Sequence, residues 1–158
     1  MARAREVPGF DCDEPFAAAA ARVVRVRAAE VFDNAEGVLD LGAISRLHDM
    51  RVATRRLRAA LEVFEPCFPR KRYRSALKRV KRLADALGER RDLDVEIEFL
   101  TEFATGAPAA DQEALRARIE RLRRHQRRVN EELAPRLRAQ RLRKLERRLS
   151  KLAARAAP

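Results

Sequence analysis

The chain has 158 residues, enough for one domain with its own core, and 36 Lys and Arg against 24 Asp and Glu leave a net charge of +12. A large anionic partner is the first thing that balance suggests; 38% charged and 46% apolar residues, with five Gly and seven Pro, argue against a disordered tail and fit a helical domain. Cys12 and Cys67 have no metal-ligand spacing and cannot build a disulfide framework, and no run of 18 apolar residues or secretory signal is present. Plain thiols, a cytoplasmic location and no membrane partner are expected.

Residues 1–12, with Pro8, Gly9 and no periodicity, read as a flexible leader to a domain at 13–153; 154–158 read as a flexible tail. Asp13 is placed to cap a first helix, with Glu14 and Pro15 in its opening turn, running from Phe16 to about Asn34. Gly37 and Gly42 bracket the connection to a second helix over about 43–64, which ends before Pro66 because proline disfavours a helical residue ahead of it. Its stripe of Leu47, Met50, Thr54, Leu57, Leu61 and Phe64 recurs every three or four residues and marks the buried face.

A third helix, from about 71 to 87, turns Tyr73, Leu77, Val80, Ala84 and Leu87 inward and takes Gly88 as its C-terminal cap. A fourth spans about 93–104 and stops at Thr105, Gly106 and Pro108. The fifth, about 109–133, has the cleanest period in Leu115, Ile119, Leu122, Gln126, Val129 and Leu133, and Pro135 kinks or breaks it. A last helix carries Leu142, Leu145, Leu149 and Leu152. With no strand pattern and short connections, the expected fold is all-α, an up-and-down antiparallel bundle of five to six helices.

Charge is blocked along this array. Residues 42–91 hold 15 basic and 5 acidic groups, residues 92–113 hold none and 7, and residues 114–158 hold 16 and 4. The second and third helices therefore form one basic unit and the last two another. On the second helix His48, Arg51, Arg55 and Arg58 fall within an arc of about 80°, along a row of about 15 Å, while Arg56 points away. On the third, Lys71, Arg74, Lys78, Lys81 and Arg82 lie on the side away from Leu77, Val80 and Ala84. Antiparallel packing makes these rows flank a shared groove, with only Glu62 and Asp85 at its margins to neutralise them. Such crowding costs folding stability unless an anion relieves it, and Arg offers forked donors that match phosphate oxygens.

The stretch from His48 through Asp49, Met50, Arg51, Val52, Ala53, Thr54, Arg55, Arg56 and Leu57 to Arg58, followed by Lys81-Arg82-Leu83, Leu87-Gly88 and Arg91-Asp92-Leu93-Asp94-Val95, closely resembles the CHAD domain, the conserved histidine α-helical domain. The match is specific over residues 45–96 and rests on helix pattern alone from there to about 152. The resemblance implies an all-helical module that binds inorganic polyphosphate without catalysis, with His48, Arg51, Arg55, Arg58, Lys81 and Arg82 as contacts. Lys78 joins them on its facing. Arg91 and Asp92 look like the family's Arg-Asp pair, and Asp92 is read as an ion-pair partner or helix cap, since a carboxylate repels phosphate.

The resemblance implies a typical domain about twice this long, with two related helical halves, of which only the first is evident here. His125 lacks the motif that follows the second histidine and is read as a solvated residue on a basic helix. The expectation is a homodimer in which two copies recreate the duplicated arrangement, with association with polyphosphate granules as one outcome. No cofactor and no metal is expected, because no Cys, His and carboxylate cluster has ligand spacing. Nucleic-acid backbone binding is the second reading, weakened by the shortage of aromatic residues on the basic helices. An accessory module of a phosphate-processing enzyme is the third. The alternating-Glu strand of triphosphate-tunnel hydrolases fails at Glu96-Ile97-Glu98, which continues into Phe99-Leu100 within a helix. No Gly-rich phosphate loop, HExxH site or nucleophile elbow is found either.

Overall fold

The computed structural model describes residues 3–9, 11 and 13–156; Met1, Ala2, Phe10 and Cys12 in the leader and Ala157 and Pro158 in the tail lie outside the described residues. Five α-helices follow one another: α1 (Phe16–Asp33), α2 (Ile44–Val63), α3 (Arg70–Thr105), α4 (Ala109–Leu137) and α5 (Ala139–Ala153), with one 3₁₀ turn over Glu65–Cys67 between α2 and α3. Among the described residues there is no strand. The all-α bundle expected from periodicity is the observed architecture.

All five helices contribute to the body. α1 packs on α2 and α5, and α3 packs on α2, α4 and α5. The shared core takes Val24 and Val31 from α1, Leu47, Met50, Leu57 and Leu61 from α2, and Tyr73, Val80 and Leu87 from α3. Leu133 of α4 and Leu149 and Leu152 of α5 complete it. The stripe read on α2 is buried from Leu47 to Leu61, with Phe64 half-buried at its end. Its polar interruption is satisfied locally, because the buried Thr54 hydroxyl donates to the Met50 carbonyl at 2.8 Å. The C-terminal half of α3 and most of α4 project from this body as a two-helix arm with its own small core of Leu93, Leu122 and Val129, flanked by Ile97 and Leu100.

Three boundaries differ from the sequence expectation. α1 starts at Phe16 with Pro15 ahead of it and no side-chain cap; Asp13 lies in the preceding turn, where its N–H donates to Asp11 Oδ1 at 3.0 Å. Glu14 instead pairs with Arg22 at 2.7 Å. Gly88 does not end a helix. α3 runs through it for 36 residues, about 54 Å at the α-helical rise, so the third and fourth helices are one. The physical reason is burial on both sides: Leu87 and Leu93 are both buried, each contributing about 1.5–3 kcal/mol, against the ~1 kcal/mol that a helical glycine costs relative to alanine. Finally, α4 passes Pro135 and stops at Leu137, and extended Arg138 alone separates it from α5.

The polar interior of the arm is a buried ion pair between Arg90 and Asp94, one helical turn apart on α3, with Gln126 of α4 donating to Asp94 Oδ1 at 2.6 Å. Burial, with the neighbouring Arg91 charge adding to it, pulls the Arg90 guanidinium down to about 10. Asp92, next to this pair in sequence, is exposed in the middle of α3. It caps nothing, since no helix begins there, and it has no ion-pair partner among the described residues. The ion-pair role expected of Asp92 falls to Asp94, which pairs with Arg90, because the register of the uninterrupted helix turns those two toward α4.

Candidate functional site

Helix α2 presents its buried stripe to the core and, beside it, His48, Arg51, Arg55 and Arg58 at the three- and four-residue spacing that keeps side chains on one face. His48, Arg51 and Arg58 are half-buried and Arg55 is exposed. Because Leu47, Met50, Leu57 and Leu61 are fixed in the core, the rotation of α2 is fixed too, and the basic row reaches α3 at its Arg58 end.

One carboxylate ties this row to α3. Glu62 Oε1 accepts from Arg58 Nε at 3.1 Å and from Lys81 Nζ at 3.1 Å. These bonds hold the Glu62 carboxyl below the usual carboxylate range, Arg58 first and Lys81 second. The rows on α2 and α3 thus converge on a single oxygen. Arg51 and Arg55 have no ion-pair partner among the described residues, so the row on α2 carries more positive charge than Glu62 neutralises. Arg56 points to the opposite flank, into a recess that it lines with Arg3, Arg5, Glu30, Asn34 and Ala53.

The α3 residues do not all share the border. At 100° per residue Lys78 stands on the exposed ridge of α3, between Lys81 and Arg82. Arg82 lies on the far flank and lines a cleft with Arg79, Asp85, Glu89, Arg136 and Arg141. Asp85, expected at the margin of the first groove, belongs to that same cleft. His125 is half-buried on α4 within an open patch that includes Arg121, Arg124 and Arg128. Among the described residues no group of three His, Cys or carboxylate side chains is placed to hold a metal ion.

Tyr73, Phe99 and Phe103 are held away from the basic border. Tyr73 is buried in the core, where burial first and Glu65 second raise its hydroxyl above the usual tyrosine range. Phe99 and Phe103 are exposed and stacked on each other with ring centroids 6.3 Å apart, but they sit on the arm, within the segment that has only acidic charges. Cys67 is buried, which raises its thiol pKa and keeps it protonated.

A second basic surface escaped sequence reasoning. Lys71 and Arg72 of α3 face Lys144, Arg147, Arg148 and Lys151 of α5 across a cleft of about 640 Å³. Part of the signal was available, because Lys144, Arg147, Arg148 and Lys151 are three or four residues apart in pairs and so share one face of α5. The charge blocks mark the last two helices as a basic unit, but not that α5 sets its cations against the start of α3.

The family model of the CHAD domain matches residues 22–158. No curated protein and no solved structure matches the chain.

Proposed function

The chain belongs to the CHAD domain family, a family associated with polyphosphate binding, and we propose that it binds inorganic polyphosphate without turnover along the border of α2 and α3. The observation that carries this reading is Glu62, one carboxylate shared by Arg58 and Lys81 in a row whose other members lack an ionic partner among the described residues. Guanidinium and ammonium groups gathered without counter-ions repel one another, and a linear phosphate polymer relieves that repulsion at many points at once. His48, Arg51, Arg55, Arg58 and Lys81 supply the contacts. Lys78 and Arg82 meet the polymer where it passes over α3.

Nucleic acid shares the phosphate chemistry, but among the described residues Tyr73 is buried and Phe99 and Phe103 stand among carboxylates, so these rings offer exposed bases no platform at this border. Titration with long-chain polyphosphate at physiological salt tests the reading. A His48→Ala, Arg55→Ala double variant is expected to bind roughly tenfold more weakly or worse, from the loss of charge-assisted contacts. Wild-type affinity in that variant overturns the assignment, and release of orthophosphate by the purified protein overturns the absence of turnover.

Pairing of two copies about a two-fold axis belongs to the same proposal, as does residence at polyphosphate granules. Val95, Phe99 and Phe103, exposed on successive turns of α3, support a further contact surface on the arm. Light scattering at micromolar concentration is expected to give twice the 18.1 kDa chain mass, and a single-chain mass with polyphosphate still bound removes the pairing. Among the described residues no helix is long and apolar enough to cross a membrane.

A further inference from the structure

The cleft between α3 and α5 is built differently from an ordinary solvated face. Six of its lining residues are cations, Lys71, Arg72, Lys144, Arg147, Arg148 and Lys151, and no carboxylate lines it. The four on α5 follow a three- and four-residue spacing, so they fall within about 100° of arc. Leu145, Leu149 and Leu152, buried on the other side of the helix, fix that arc toward the cleft. Glu146 is turned about 160° from Arg148, outside it. Among the described residues none of the six cations has an ionic partner. Arg148 has only a neutral one, donating to Ser75 Oγ at 3.1 Å, which steadies its guanidinium without cancelling its charge.

The opposite wall carries an independent cost. Arg70, Lys71 and Arg72 open α3, its first turn has no acidic residue, and no side chain caps it. Cations at that position meet the positive end of the helix dipole, where anions are favoured instead. Both walls are therefore strained electrostatically in the free protein, and the same ligand charge relieves both.

We infer that the α3–α5 cleft is a second phosphate-binding site, and that one polyphosphate chain crosses the exposed ridge of α3 to occupy it together with the α2–α3 border. The inference rests on the polyphosphate reading above. Arg74 and Lys78 are exposed on α3 between the two sites and bridge the crossing. The distance to be spanned is about one helix diameter, 10–12 Å. A short oligophosphate fills either site alone, whereas a long chain gains from both, since its second contact is intramolecular.

Calorimetric titration with tripolyphosphate and with long-chain polyphosphate tests this, using wild type, a Lys144→Gln, Arg147→Gln, Arg148→Gln, Lys151→Gln variant, and the His48→Ala, Arg55→Ala variant. Glutamine keeps helix propensity. Circular dichroism checks the fold, and Lys71→Gln, Arg72→Gln on the other wall serves if the α5 variant does not fold. Wild type is expected to take two tripolyphosphates and each variant one, with the remaining site unchanged, while long-chain affinity falls roughly tenfold or more in either cleft variant. Two tripolyphosphates or wild-type long-chain affinity in both cleft variants overturns the second site and leaves the first standing. If the α2 variant alone is unaffected, the first site falls and the cleft remains. A wild type that binds no polyphosphate overturns both, and a cleft that takes duplex DNA in preference assigns it to nucleic acid instead.

Discussion

Glu62 competes with the ligand that its neighbours await. Its carboxyl, held below the usual range by Arg58 and Lys81, stays ionised in mildly acidic solution and continues to occupy both donors there. Exposed ion pairs of this kind contribute roughly 0.2–1 kcal/mol, so Glu62→Gln is expected to tighten polyphosphate binding about two- to fivefold with little change in thermal stability. A titration in which that variant binds more weakly would show that Glu62 positions Arg58 and Lys81 rather than obstructing them. The row from His48 to Arg58 was legible in the sequence because spacing alone puts those residues on one face. The Arg90–Asp94 pair was not. Arg90 and Arg91 differ by 100° around the helix, and the choice of which turns inward depends on Gln126, 32 residues beyond Asp94.

Among the elements, α3 shows where local signals lose to packing. Glycine is a helix stop only when nothing beyond it needs to be buried, and here Leu93 and the Arg90–Asp94 pair lie beyond it, held by α4. A Cβ built at Gly88 meets nothing within 4 Å, and its backbone is not in the left-handed region. Gly88→Ala is therefore expected to stabilise the protein by about 0.5–1 kcal/mol, seen as a higher midpoint in thermal or urea unfolding. A lowered midpoint would mean that the glycine serves a bend the helix requires. The apolar stripes of α2, α4 and α5 were readable because each is amphipathic over several turns. The boundaries at Asp13, Gly88 and Pro135 were not, since capping and breaking residues carry only a few kcal/mol at most and yield to the core behind them.

Taken as one object, the protein is electrically lopsided. The body and the α4 side of the arm hold the excess cations, and the α3 side of the arm with its turn, residues 92–113, holds seven acidic groups and no basic one. Attraction of a polyanion to the body is a many-charge effect, so its affinity is expected to fall steeply as salt rises, through counterion release. Competition at matched phosphate concentration is expected to favour polyphosphate over duplex DNA. An affinity flat in salt, or a preference for DNA, would contradict the charge-based reading.

An unbroken α3 joins these two ends rigidly. A molecule lying against any densely phosphorylated surface would be oriented like a compass needle, its bundle inward and its arm standing outward. The stacked Phe99 and Phe103 rings would then form the outer fringe of the coating, so whatever meets a coated particle from solution would touch carboxylates and two phenyl rings before it reached the layer beneath.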